Sequence, residues 1–221
     1  MFVRVDIVLI STFVLVPSLV FAADYNVPEG GTLAKAIAEA NANKDGDMYE
    51  IEISGTSADS GNVKNSASIA GNPSAVLSGS LAFNGTGIRS EISNLTFTSG
   101  TVGAVANGTL GLGEAQDLTI TSVAFEQRNG NGYGGGVVNL GNMTIQGNSS
   151  FSGNRADVGG AIYNSKRLDI SDTSFLNNTA SGSGGAINSS GTMSIANSTF
   201  DGNRSVSSYG GAINSSGTAQ I

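Results

Sequence analysis

The chain has 221 residues, carries a net charge of −7 and contains neither Cys nor His, which excludes disulfides, thiolate or histidine metal sites, and nucleophile–histidine catalysis. Gly, Ser and Asn make up more than a third of it; without a period that would suggest disorder, but the period described below argues for order. Charged residues are only 12 %, there is no Trp, and no basic stripe exists to neutralise nucleic-acid phosphates or an anionic membrane surface.

Residues 1–22 read as a secretory signal. Arg4 gives a weakly positive start, Ile7 to Phe21 is almost wholly apolar, and Val20-Phe21-Ala22 places small or aliphatic residues at the −3 and −1 positions of a cleavage site. The apolar run is short for a membrane span of about 20 residues. Residues 23–47 read as an N-terminal cap. Thr32 is an expected helix N-cap, and Leu33, Ala36, Ile37 and Ala40 fall on one helical face. A helix there would lie across an otherwise exposed sheet edge and block its pairing with other chains.

Residues 48–221 read as coils. The run Met48 to Ile53 alternates like a strand, and residues 55–115 continue as degenerate coils, with apolar runs between Asn-Gly and Ser-Gly corners. From about residue 118 the repeat is regular. Gly135-Gly136-Val137-Val138-Asn139 is followed by Gly159-Gly160-Ala161-Ile162, Gly184-Gly185-Ala186-Ile187 and Gly210-Gly211-Ala212-Ile213, in steps of 24, 25 and 26 residues. A second element, Met/Leu-x-Ile, gives Ile120, Ile145, Ile170 and Ile195. A third, Phe-x-x-Asn, gives Phe151…Asn154, Phe175…Asn178 and Phe200…Asn203, while Phe125 has Arg128 in the Asn position.

The apolar runs are too short for helices, and Met-x-Ile places two apolar groups on one strand face. Gly and Asn tolerate left-handed backbone conformations and mark the corners. Three short strands and three corners in about 25 residues describe one coil of a right-handed parallel β-helix. The expected architecture is all-β, about seven coils in a rod of about 35 Å, with like residues stacked at ~4.8 Å. Expected columns are Ile, Phe, and a ladder of Asn139, Asn164, Asn188 and Asn214 joined by side-chain amides. Gly160, Gly185 and Gly211 are expected where no side chain fits. A leucine-rich horseshoe has an overlapping period, but its Leu-x-x-Leu-x-Leu frame is absent. The chain stops inside the second element of a coil, so the expectation is a segment of a longer protein.

The Gly-Gly-Ala-Ile and Phe-x-x-Asn pair over about residues 125–221 resembles the polymorphic outer membrane protein repeat of chlamydial surface proteins and autotransporter-type adhesins. That resemblance implies a β-helix passenger at the cell surface or outside the cell, acting in adhesion or display without enzymatic activity or a cofactor. Its partner would be a host-cell or extracellular surface ligand, and any membrane association would come through a C-terminal region outside this chain. Two alternatives stand beside it. One is a carbohydrate-active β-helix enzyme, which needs clustered Asp for Ca²⁺ or a carboxylate pair; Asp157, Asp169, Asp172 and Asp201 occupy different coil slots, so no pair is expected within this segment. The other is a spacer stalk. The glycines at 132–136 lack the Lys-Ser/Thr of a phosphate loop and read as a coil corner. Arg155 and Arg204 are expected to point outward.

Overall fold

The computed structural model describes residues 24–27, 32–42, 48–72, 74–85, 87–100, 103–108, 116–207 and 209–221. The expected signal segment lies outside the described residues. The chain winds into a parallel β-solenoid of about six turns, preceded by one short helix. Every strand pairing is parallel and joins a strand to its counterpart one coil away.

Among the described residues the strands form three long sheets. The first has nine strands and carries Asp117–Thr121, Asn142–Gln146, Arg167–Ser171 and Thr192–Ala196. Its inward column runs Ile51, Ile69, Ile92, Ile120, Ile145, Ile170 and Ile195, each in register with the next, and all seven are buried. The second has seven strands and stacks Phe97, Phe125, Phe151, Phe175 and Phe200. Successive ring centroids are 5.1, 4.5, 4.9 and 4.6 Å apart, with ring planes within 7° of parallel. Both columns follow from alternation: in the three-residue Phe strands the middle residue points in, and in the five-residue Ile strands of the regular coils the second and fourth residues do.

The third sheet, also of seven strands, includes Val105–Asn107, Val137–Asn139, Ile162–Asn164, Ile187–Ser189 and Ile213–Ser215. Its register corrects two expectations. Val137 pairs with Ile162 and Ile162 with Ile187, so the counterpart of Gly159-Gly160 is Gly134-Gly135, with Gly136 in the place of Ala161. Gly134, Gly159, Gly184 and Gly210 all have positive φ, between 48° and 67°. Three consecutive glycines permit two alignments, and the left-handed corner selects the one shifted by a residue.

The Asn ladder also changes membership. Asn139 pairs with Asn164, but Asn164 pairs with Ser189, while Asn188 pairs outward with Tyr163 and Asn214. The inward ladder is therefore Asn107, Asn139, Asn164 and Ser189, all buried. Each Asn amide donates to the next side-chain oxygen, at 3.0, 2.7 and 2.9 Å. Asn188 and Asn214 form a separate outer rung, joined at 2.7 Å.

The glycine expectation holds at two positions and fails at the third. A β-carbon on Gly160 or Gly185 would meet a carbonyl of the next coil at 2.2 or 2.1 Å, but one on Gly211 would meet nothing within 4 Å. Gly160 and Gly185 are each covered by the following coil, whereas Gly211 has none stacked on it among the described residues.

The helix Leu33–Ala42 buries Leu33, Ala36, Ile37 and Ala40, the expected face. The Thr32 hydroxyl accepts from Lys35 N–H, and the Asp59 carboxylate accepts from Leu33 N–H at 2.8 Å. Asn41 brackets the neighbouring strand end, donating to Asn62 O and accepting from Lys64 N–H. The helix is thus fixed at both ends to the first coils, and a strand before it, Asp24–Val27, extends the nine-stranded sheet.

Candidate functional site: the trough over the fourth sheet

The Phe-x-x-Asn motif builds a corner and, beyond it, a strand that the sequence did not reveal. The residue after Phe-x has positive φ in each coil: Gln127, Gly153, Asn177 and Gly202. This left-handed turn delivers the following Asn inward. Asn154 and Asn178 are fully buried. Asn154 N–H and its amide both donate to Asn178 Oδ1 at 3.0 Å, and Asn178 donates in the same way to Asn203 Oδ1. Each amide also donates to the Phe carbonyl of the preceding coil. The motif's two named residues are therefore joined across coils, the ring filling the core and the amide closing the corner above it.

Arg128 heads this ladder. Its N–H donates to Asn154 Oδ1 at 3.1 Å, but its side chain runs back along the core and donates through Nη1 to Ser78 O and Thr98 O, both at 2.9 Å. It is fully buried, and desolvation lowers its pKa from the ordinary guanidinium value.

After the inward Asn the chain makes a two-residue strand: Arg155–Ala156, Thr179–Ala180 and Arg204–Ser205 form a fourth, three-stranded sheet. The expectation of three strands per coil is corrected to four in these coils. Ala156 and Ala180 point in, and their neighbours point out. Asn129 bridges to Arg155, Arg155 pairs with Thr179, and Thr179 with Arg204, giving one outward column across four rungs. Asn131, Asp157, Ser181 and Val206 are exposed two residues further along each rung. Between these columns lies an open trough of about 590 Å³, lined by Asn129, Arg155, Asp157, Thr179, Ser181 and Val206 among others; Arg204 continues the Arg155–Thr179 column just outside that lining. Asp157 accepts from Ser181 Oγ at 2.8 Å. Among the described residues, the Arg155 and Arg204 guanidiniums make no ion pair or hydrogen bond, and both residues are exposed, as expected.

At the far rim the residues before each Gly-Gly corner form another column. Gly134 N–H donates to Val158 O, Gly159 N–H to Ser183 O, and Gly184 N–H to Tyr209 O, so Tyr133, Val158, Ser183 and Tyr209 follow one another by rung. Tyr133 and Tyr209 are more than half exposed, and the Tyr133 ring packs on Tyr163 at 4.6 Å.

A second, smaller depression of about 300 Å³ lies on the outer face of the nine-stranded sheet. Its charges are engaged: Arg167 pairs with Asp169 at 2.8 Å, and Asp117 sits 3.6 Å from Arg89 and accepts from Asn142 at 2.9 Å. The four carboxylates singled out from sequence are dispersed. Asp169 is on this face, Asp157 beside the trough, Asp172 at a positive-φ corner and Asp201 outside the Phe column. Among the described residues no group of three or more Asp and Glu is placed to hold a metal ion.

Of the repeat-motif residues, Ala161, Ile162, Ala186 and Ile187 are fully buried, while Ala212 and Ile213 on the last coil are only partly so. They make the scaffold, and the trough belongs to the residues between the motifs. Uniform rungs stacked in register with an outward groove are the form of a parallel β-solenoid repeat protein. Residues 142–165, 172–190 and 197–216 match the family model of the Chlamydia polymorphic membrane protein repeat, three segments in successive coils. Neither a curated protein nor a solved structure matches the chain.

Proposed function

We propose that the chain is a β-helix passenger segment displayed at the cell surface or secreted, that it acts in adhesion to a host-cell or extracellular ligand, and that it has no enzymatic role. The observation that carries this reading is the match to the polymorphic membrane protein repeat in three successive coils, the coils that also supply the trough. Their motif residues are spent on packing and corner hydrogen bonds, which leaves the outward columns open to vary without cost to the fold. A hydrolase or lyase on this scaffold would need converging carboxylates, and those of the regular coils are dispersed.

Beads coated with the purified chain test the reading. They should attach to cultured epithelial cells, and a chain with outward changes at Arg155, Asp157 and Arg204 should attach less while circular dichroism still reports β-structure. Attachment unaltered by those changes would favour a spacer stalk whose contact lies elsewhere. Absence of attachment by the unmodified chain would count against adhesion by this segment. Labelling of intact cells by an antibody against the chain tests display separately.

A further inference from the structure

The outward column that borders the trough is a locally cationic strip on an acidic protein. The chain carries 10 Lys and Arg against 17 Asp and Glu, yet the fourth sheet presents two unengaged guanidiniums, Arg155 and Arg204, with one carboxylate, Asp157, already held by Ser181. The register fixes the two arginines two rungs apart, with Thr179 between them. At the rung spacing of a β-sheet their backbones stand roughly 9.6 Å apart along the solenoid axis. Around them are short hydroxyl and amide side chains, those of Asn129, Thr179 and Ser181. Tyr133 and Tyr209 stand at the rim, three rungs apart and exposed.

A ligand for this surface must be extended along the axis, offer hydroxyls at each rung, carry anions at every second rung and present faces that pack on a phenol ring. An extended β-strand repeats its same-face side chains about every 6.8 Å, out of step with arginines two rungs apart. A linear polysaccharide satisfies all of these conditions. Its sugar rings repeat at close to the rung spacing, their hydroxyls meet short polar side chains, and their C–H faces pack on aromatic rings. The arginine spacing selects further. Carboxylates about two rungs apart are those of a chain with one uronate in each disaccharide. A planar guanidinium takes a carboxylate through two parallel hydrogen bonds, which a point charge does not.

We propose that the trough binds an extended acidic glycan of alternating uronate and neutral sugar, with successive carboxylates on Arg155 and Arg204 and sugar faces on the rim tyrosines. The inference rests on the adhesion reading, since it names that reading's ligand.

The probe is hyaluronan, an unsulfated chain with one carboxylate per disaccharide, titrated by calorimetry into the purified full chain. Binding is expected, and Arg155→Ala with Arg204→Ala should weaken it about tenfold or more, the loss due to charge-assisted hydrogen bonds. The decisive variant keeps the charge and changes the spacing. Thr179→Arg in an Arg204→Ala background puts the guanidiniums one rung apart, and it should bind hyaluronan no better than the Arg204→Ala variant alone, which keeps the Arg155 contact. Full binding by that variant would overturn the spacing argument, as would equal binding of dextran, which has no carboxylate. No binding of hyaluronan by the folded chain would overturn the proposal outright. Bead attachment separates the two readings. Attachment that persists with hyaluronan unbound leaves adhesion standing and the glycan assignment fallen. Loss of attachment by the unmodified chain removes adhesion itself.

Discussion

The guanidinium of Arg128 fills the space beside Gly100: a β-carbon on that glycine would lie 2.5 Å from the guanidinium carbon. The two residues sit on adjacent coils, at the point where Asn takes over the corner in the coils that follow. Arg128 does by reach what Asn154, Asn178 and Asn203 do by stacking, since it supplies donors to carbonyls of the two preceding coils. Arg128→Met keeps the length and removes the donors. It should lower stability by about 2–4 kcal/mol, the range for leaving two part-buried carbonyls unpaired. Gly100→Ala should destabilise through overpacking by about 1–3 kcal/mol. The midpoint of urea unfolding at unchanged slope measures both.

The Ile column gives a second expectation. Ile170 is buried between Ile145 and Ile195. Ile170→Asp loses its packing and places a carboxyl among apolar neighbours, at a cost of roughly 4 kcal/mol or more. The neighbouring outward change Asp169→Ser should shift the melting temperature little, because its partner Arg167 is a surface residue. Equal effects at the two positions would contradict the inward assignment.

Asn178 tests the corner ladder. Asn178→Ala leaves the Asn154 N–H without its acceptor, and the expected loss is about 2–4 kcal/mol. Asn178→Asp keeps an acceptor but directs an anion at Asn203 Oδ1 and the Phe151 carbonyl, which were acceptors for the amide. Burial raises the pKa of the introduced carboxyl above its unfolded value. The variant should therefore be least destabilised below pH about 4 and lose stability as the pH rises above it. Chemical denaturation at several pH values reads the sign, and a variant stabilised by rising pH would contradict the ladder.

The Gly-Gly corners supply a contrast within one motif. Gly185→Ala drives a methyl to 2.1 Å from the Gly211 carbonyl, whereas Gly211→Ala meets nothing within 4 Å. The first should cost about 1–3 kcal/mol and the second within ~0.5 kcal/mol of nothing. Thermal melts of the two single variants decide it.

The elements legible in the sequence were those whose chemistry recurs at one phase. Phe125, Phe151, Phe175 and Phe200 differ from every neighbour in size, so their period declares both strand and register. The cap helix was legible because Leu33, Ala36, Ile37 and Ala40 match a helical face. The Gly-Gly corner was misaligned because Gly134-Gly135-Gly136 fits two phases, which only the backbone conformation at Gly134 separates; the Asn column was misread because Ser189 and Ser215 take its inward position in the later coils while Asn188 and Asn214 stand one residue earlier. The strand Arg155–Ala156 was hidden by its length, since two residues carry no alternation. The trough was hidden with it, because its outward columns acquire neighbours only once the register is known. Arg128 was visible as a departure from Asn, but its inward course required the empty space at Gly100.

The parallel register of the fourth sheet has a consequence for valency. Past Arg128, which reaches two coils back, each rung pairs with the rungs next to it, so inserting one whole coil among the Asn-cornered repeats would alter no strand pairing beyond its own two interfaces. It would add one outward residue to each column that lines the trough. For the glycan-binding mode proposed above, the number of sites along the polymer would scale with the number of coils, and overall avidity would climb far faster than any single contact strengthens. Duplication or loss of a 25-residue unit would tune grip in whole steps, with the corner chemistry and the core left as they are.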